Sequence, residues 1–143
     1  MTDDEYVPSA FDWVREQVDA YESSGGTKGT TLRGVPTVVV TMRGRRSGKV
    51  RKAPVMRVEH EGTYVAVASK GGAPAHPEWY LNLMADPDVT VQDGTEVQEM
   101  RAREIDGAER ETWWARALEV WPDYAEYQKR TDRRIPVVLL EPR

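Results

Sequence analysis

From Val35 onward the chain is cut into short β-branched and apolar runs by turn residues, and this rhythm constrains the fold more than any other feature. Thr37–Met42, Arg51–Glu59 and Thr63–Ser69 are separated by Gly44, Gly48 and Glu61-Gly62, the pattern of a three-stranded antiparallel meander. Val89–Asp93 and Glu96–Ile105 meet at Asp93-Gly94, a favoured hairpin dipeptide, and Ile135–Leu140 supplies a last strand. Six short strands with few helices predict a small β-barrel. A chain of 143 residues buries enough surface for one core without staples, and it has no cysteine. That count excludes thiol catalysis, zinc fingers, iron–sulfur clusters and a disulfide scaffold, and it fits a reducing, cytoplasmic setting.

Three helical segments flank the strands. Phe11, Val14, Val18 and Tyr21 recur at three- and four-residue spacing, Ser9 stands at the N-cap position and Gly25-Gly26 ends the run, predicting a helix over about 9–23. Asp12, Glu16, Asp19 and Glu22 face outward against one Arg15, so an anionic membrane repels this helix and packing on the domain is expected. Residues 25–34 read as a flexible connection, which divides the chain into 1–34 and a barrel domain over 35–143. Glu78–Met84 forms a short helix after Pro77, and Trp113, Trp114, Ala117, Leu118 and Trp121 mark another over Ala108–Trp121. The longest apolar runs fall far short of the roughly 20 residues that span a bilayer, so no stable membrane insertion is expected. The acidic start, Met1 to Glu5, is unlike a secretory leader. No glycine-rich loop joins a strand to a helix in the Rossmann manner.

Charge is concentrated rather than spread. The net charge is −4, yet six of the ten residues in Arg43–Lys52 are Arg or Lys and none is acidic, which leaves −10 for the rest of the chain. Glycines and a serine let that turn bend and offer donors, while guanidinium groups grip phosphate or carboxylate oxygens bidentately. The turn therefore suits a small polyanion; the bland alternative is a solvated hairpin that protects a sheet edge. A second constellation, Ala68–Tyr80, runs from a strand end through a Gly/Pro-rich loop into the short helix. There Lys70 adds positive charge, and Gly71 and Gly72 permit close backbone approach. His76 cannot build a triad or a metal site with His60 as the only other histidine. Tyr124 and Tyr127 lie three residues apart after a proline break, equally suited to a pocket wall or to the core.

Gly44–Arg51 with Pro54, Ala68–Gly72, His76–Leu83 with Pro87, Trp121–Tyr127 and Thr131–Pro136, in that order over residues 35–142, resemble the deazaflavin-dependent nitroreductases of actinobacteria. That resemblance implies a six-stranded split β-barrel, mainly β with flanking helices and FMN-binding-protein-like, that binds coenzyme F420. It implies that Arg45, Arg46, Ser47, Gly48, Lys49 and Arg51 hold the cofactor's phosphate and acidic tail. Ser69, Lys70, Gly71 and Gly72 would line the deazaflavin, and Pro54, Pro77, Trp79, Tyr80 and Asn82 would shape its pocket. Met56, Trp121, Tyr124 and Tyr127 would form the substrate wall, with Met56 and Trp121 standing where one member of the family has tyrosine.

The implied reaction is hydride transfer from the reduced deazaflavin to a quinone or nitroaromatic acceptor, with Ser69, Tyr124 or water supplying the proton. A quinone acceptor would add peripheral membrane contact to the cytoplasmic setting. Two other readings stand beside it. One is an FMN oxidoreductase of related fold, with the basic turn on the FMN phosphate. The other is a non-enzymatic small-barrel module for single-stranded nucleic acid, which the −10 charge outside the turn opposes.

Overall fold

The computed structural model describes residues 5–143, so the sequence reading of residues 1–4 lies outside the described residues. In chain order the elements are α1 (Asp12–Ser23), β1 (Thr31–Leu32), β2 (Val35–Arg43), β3 (Val50–Met56), β4 (Glu59–His60) and β5 (Thr63–Val67). A single 3-10 turn (Lys70–Gly72) leads to α2 (Glu78–Ala85), β6 (Asp88–Asp93), β7 (Glu96–Glu104), α3 (Gly107–Val120), α4 (Asp123–Lys129) and β8 (Val137–Pro142). The strands run antiparallel in the order β1-β2-β6-β7-β8-β5-β4, and β3 pairs with the remaining side of β2.

The run expected as one strand, Arg51–Glu59, is two. β3 stays on β2 from Arg43↔Val50 to Thr37↔Met56, and Arg57 N–H still reaches Pro36 C=O at 2.8 Å. The chain then turns away, Val58 C=O accepts Val65 N–H at 3.0 Å, and β4 pairs with β5. This bend curls the sheet back on itself as a six-stranded split barrel, with β1 a two-residue addition to β2. The interior alternates as the pleat requires: Val38, Val40 and Met42 of β2 meet Tyr64, Ala66, Val89, Val91, Met100, Ala102, Val138 and Leu140 from the other strands. Leu83 of α2 joins this core, so α2 plugs one barrel end.

The opposite sheet face carries the longer helices. Val65, Val67, Val137 and Leu139 pack under α3 and α4 with Trp113, Ala117 and Tyr124, whereas α1 covers Val39 with Val18 and Tyr21. α1 begins at Asp12 rather than Ser9, because Ser9 Oγ accepts Phe11 N–H in a local turn and the helix has no side-chain cap. Phe11 is consequently 64% exposed and does not belong to the buried face. Gly25-Gly26 end α1 as expected: Gly26 N–H bonds Tyr21 C=O and Gly25 N–H bonds Glu22 C=O, the Schellman pattern, with both glycines at positive φ. Residues 25–34, read as a connection, include β1, hydrogen-bonded to β2.

Tyr21 fastens α1 to the barrel. Its hydroxyl points at Thr37 C=O (3.0 Å) and Gln92 C=O (3.2 Å) and accepts Gly94 N–H at 2.7 Å. Beside it, at the barrel end remote from α2, Arg57 Nε donates to both oxygens of Asp93 (3.0 and 2.9 Å). Tyr64 donates to Asp93 Oδ2 at 2.5 Å and accepts from Gln98 Nε2 at 3.3 Å. This polar plug closes the end opposite α2.

Burial, then the hydrogen bond to Asp93, pushes the Tyr64 phenol from its ordinary value of 10.0 up to about 12. Between those values the folded chain keeps a proton that the unfolded chain releases, so this contribution to stability is complete below pH 10 and is lost as pH rises toward 12. We expect Tyr64→Phe to cost about 1–3 kcal/mol at neutral pH, by removing one partner of the half-buried Asp93 carboxylate. We also expect it to lose less stability than wild type on going from pH 10 to pH 12. Denaturant unfolding across that range checks both.

Candidate active site

The cationic turn is a tight, internally bonded loop. Gly44 N–H bonds Lys49 C=O and Gly48 N–H bonds Gly44 C=O, both at 2.8 Å, with Gly48 at φ 72°. Ser47 Oγ accepts Lys49 N–H at 3.2 Å, which orders the turn and leaves the hydroxyl proton to donate elsewhere. Asn82, buried in α2, accepts Arg45 N–H at 3.0 Å, so its side chain fixes the turn to the helix that plugs the barrel. Arg45 Nη1 then reaches the Glu78 carboxylate, and Lys49 Nζ pairs with Glu5 at 2.9 Å. Arg46, Ser47 and Gly48 are exposed.

Glu78 marks where the charges converge. The Arg45 hydrogen bond holds its carboxyl below the usual carboxylate range, and the positive charges of Arg46 and Lys70 act in the same direction. The two constellations separated in sequence, 43–52 and 68–80, therefore meet at the start of α2. Pro77 occupies the N-cap position there, and Trp79 and Tyr80 lean on the barrel core. Burial and the hydrogen bond to Glu104 push the Tyr80 phenol up to about 12.

The loop from Ala68 to His76 is held from behind by Arg133. Its Nε donates to Ala73 C=O (2.8 Å), Nη1 to Ala68 C=O (3.1 Å) and to His76 Nδ1 (3.1 Å), and Nη2 to Ser69 C=O (2.7 Å). A guanidinium only donates, so His76 Nδ1 is an acceptor here, and its ring meets that of Tyr80 at a 44° tilt with centroids 4.7 Å apart. This grip sustains a left-handed run in which Lys70 has φ 47° and Gly71 and Gly72 have φ 64° and 83°. The two glycines differ in use. A Cβ on Gly71 would meet nothing within 4 Å, whereas one on Gly72 would lie 2.6 Å from Tyr127 C=O. Gly72 is required for α4 to approach, and Gly71 faces open space.

Between these constellations lies the split. β3 uses Arg51, Ala53, Val55 and Arg57 for its bonds to β2, so Lys52, Pro54 and Met56 turn their backbone groups toward the opposite edge. Val50 is satisfied there by Glu5 C=O and Val7 N–H, at 2.9 Å each. From Lys52 to Met56 that edge has no strand partner among the described residues. Pro54 fits such a position, because it has no N–H to leave unpaired. Every residue of β3 is half-buried, unlike those of the other barrel strands.

At the far end of β3, Met56 packs against the same cluster as Trp121, Tyr124 and Tyr127. Trp121 Nε1 donates to Tyr127 Oη at 3.2 Å, and Arg33 stacks over Trp121 at 5.9 Å. Tyr124 is 6% exposed and its ring meets Trp114 and Tyr127, so it is a core residue. Burial, reinforced by Tyr127, pushes its phenol far above the ordinary tyrosine value, and it keeps its proton at any working pH. Ser69 is 7% exposed at the strand end. Sequence reasoning missed Glu78, Arg133 and Arg33. The first two stood in the resembling motifs without a role of their own, and both arginines act on partners 57 or more residues away, a pairing with no local pattern.

The sequence profile of the F420H(2)-dependent quinone reductases matches residues 13–142. An F420H(2)-dependent quinone reductase of Mycobacterium tuberculosis is 31% identical over 126 residues, 84% of this chain and 83% of that one. A solved F420-H2 dependent reductase is 55% identical with TM-score 0.71, covering 74% of this chain and 94% of that chain. Another solved structure, a domain-swapped dimer, is 51% identical with TM-score 0.74 over 93% of this chain and 100% of its own. A haem-binding protein of Mycobacterium smegmatis, 17% identical with TM-score 0.58 over 85% of this chain and 50% of its own, shares the fold alone. The chain belongs to the F420H(2)-dependent quinone reductase family.

Proposed function

We propose that this chain reduces quinones with reduced coenzyme F420 bound along the split between β3 and β5. The observation that carries the proposal is the meeting of Arg45, Arg46 and Lys70 around Glu78, beside an unpaired strand edge that leads to an aromatic wall. The residues present fit the group. A polyanionic tail requires several convergent cations, and the turn supplies them on a backbone already braced by Asn82. A flat ring requires a narrow slot with backbone donors and acceptors, and Lys52, Pro54 and Met56 present such an edge. At about 3.3 Å per residue, β3 spans on the order of 20 Å from the turn to Met56, long enough for an extended cofactor.

When bound, reduced F420 supplies the hydride. The protein holds the tail with Arg45, Arg46, Ser47, Lys49, Arg51 and Lys70, and shapes the slot with Pro54, Ser69, Gly71 and Trp79. It presents the acceptor on Met56, Trp121 and Tyr127. Tyr124 keeps its proton and orients the acceptor by hydrogen bonding, because a phenol raised so far is a poor acid at neutral pH. Ser69 and water complete the proton route. Nitroaromatic acceptors are flat, electron-poor and of similar size, and the same wall suits them. FMN is the competing ligand, with a shorter anionic tail that engages fewer of the cations.

Fluorescence titration with F420 and FMN in parallel tests the cofactor, and equal or tighter binding of FMN overturns it. Arg45→Ala and Arg51→Ala are expected to weaken F420 about ten-fold or more while moving Tm little, since a charge-assisted contact contributes about 1.5–3 kcal/mol. Glu78→Gln removes the carboxylate that already occupies Arg45, so F420 should bind a few-fold tighter to it than to wild type.

Steady-state kinetics with menadione divide the wall. Tyr124→Phe should lower kcat several-fold with little change in KM, whereas Tyr127→Ala removes shared binding surface and should chiefly raise KM. Loss of F420 binding in either folded variant would assign that tyrosine to the cofactor instead.

A further inference from the structure

Two arginines outside the cofactor turn stand on the aromatic wall. Arg33 is the first residue of the two-residue turn between β1 and β2, where Leu32 pairs with Val35 and both Arg33 (52°) and Gly34 (78°) have positive φ. Hairpins favour that backbone, but glycine, asparagine or aspartate ordinarily fills its first position, because a longer side chain is strained there. β2 opens beside the far end of β3, with Thr37 paired to Met56 and Arg57 N–H bonded to Pro36 C=O at 2.8 Å. The turn therefore carries Arg33 to the wall, and its guanidinium lies over Trp121 at 5.9 Å. Arg130, at the C-cap of α4, lies over Tyr127 at 5.4 Å. Its Nη1 donates to Gly71 C=O at 3.4 Å, which ties the wall to the loop beside the slot.

This end of the slot is rich in donors. Trp121 Nε1 donates to Tyr127 Oη at 3.2 Å, so the two rings that carry the cations are joined and the Tyr127 hydroxyl keeps its own proton to donate. Both arginines are exposed, and neither forms an ion pair with a carboxylate among the described residues; Glu126, on the same helix as Tyr127, is held by Lys129 at 3.2 Å. The cofactor turn differs, because Glu78 and Glu5 already occupy Arg45 and Lys49 there. Two cations on joined rings make a local attraction for negative charge in a protein whose net charge of −4 opposes it elsewhere. A neutral quinone gains only contact from them. A flat acceptor with its own negative charge gains charge-assisted contacts while its ring packs on Met56, Trp121 and Tyr127.

We propose that Arg33 and Arg130 select quinones whose ring bears a carboxylate over neutral ones. The inference rests on the acceptor wall proposed above and adds the charge of the acceptor. The reaction is unchanged: a hydride from reduced F420 and one proton convert the quinone to the hydroquinone, and the carboxylate takes no part.

Anthraquinone-2-carboxylate and 2-(hydroxymethyl)anthraquinone share a ring system and differ in charge. Calorimetric titration of the F420-free protein with each reads the preference without turnover, and kcat/KM for the same pair with reduced F420 reads it in the reaction. Wild type should bind the carboxylate more tightly, and rising salt should shrink the difference. Arg33→Gln and Arg130→Gln should each weaken the carboxylate about three- to five-fold, the range of an exposed ion pair, and leave the alcohol within about two-fold. Arg33→Lys keeps the charge and should keep the preference. Arg116→Gln removes a cation of the same kind, over the core ring of Trp113 at 4.6 Å, and should leave the preference as it is. The proposal is overturned if the carboxylate fails to bind saturably, if the glutamine variants lose both ligands equally or lose neither, or if Arg116→Gln has the same effect as they do. Menadione separates this inference from the function it rests on. Absence of F420-driven turnover with menadione, beside arginine-dependent binding of the carboxylate, overturns that function and leaves the charge selection standing as a property of the wall.

Discussion

Closure of the barrel by a bent strand governs the rest of this structure. β3 commits one edge to β2 and leaves the other edge to whatever the chain or a ligand provides, and only after Arg57 does the chain cross to β5. Had Arg51–Glu59 run straight, the backbone of Lys52 to Met56 would have been free either to pair with a strand or to invite another chain. The bend converts that liability into a slot. Pro54 reduces the number of unpaired donors in it, Glu5 and Val7 satisfy its first residue, and the half-buried state of the whole strand follows from its position at the opening. The cationic turn is the hairpin end of this same strand, so cations and slot are joined by geometry and not only by charge.

The legible parts of the sequence were those in which a local pattern has one physical meaning. Gly25-Gly26 ended α1 because two successive positive-φ positions close a Schellman motif. Asp93-Gly94 made the β6–β7 turn, and the concentration of cations over Arg43–Lys52 located the turn that now meets α2. Family resemblance supplied the cofactor and the split barrel, which periodicity alone would have left as a small barrel of unstated kind. What stayed hidden depends on partners remote in sequence. Ser9 has the right residue type for a cap but spends its hydroxyl on Phe11 N–H, and the helix starts three residues later with Phe11 in solvent. Gly72 read as room for a ligand and instead makes room for α4.

Charge placement explains why the site is positive in an acidic protein. Glu78 is drawn into the cluster of Arg45, Arg46 and Lys70, and it is exposed at the first turn of α2, where a helix favours negative charge. A resident anion keeps the arginine oriented, and Arg46 stays exposed beside it. At the opposite barrel end the logic is reversed. Arg57, Asp93, Tyr64 and Gln98 satisfy one another inside a closed network, which specifies structure and offers little to a ligand.

The same distinction separates two half-buried arginines, Arg133 and Arg110. Arg133 spends its guanidinium on three carbonyls and a histidine nitrogen, and the left-handed run from Lys70 to Gly72 rests on that grip. Its role is complete within the fold. Arg110 is desolvated too, and although Asp106 and Glu104 favour its charge, its Nη1 has no hydrogen-bond acceptor. Satisfaction, more than burial or charge, decides which of the two can hold a strained loop in place. A cation is costly to bury, so the guanidinium whose donors are met by fixed carbonyls is the one on which a left-handed run of backbone can rest.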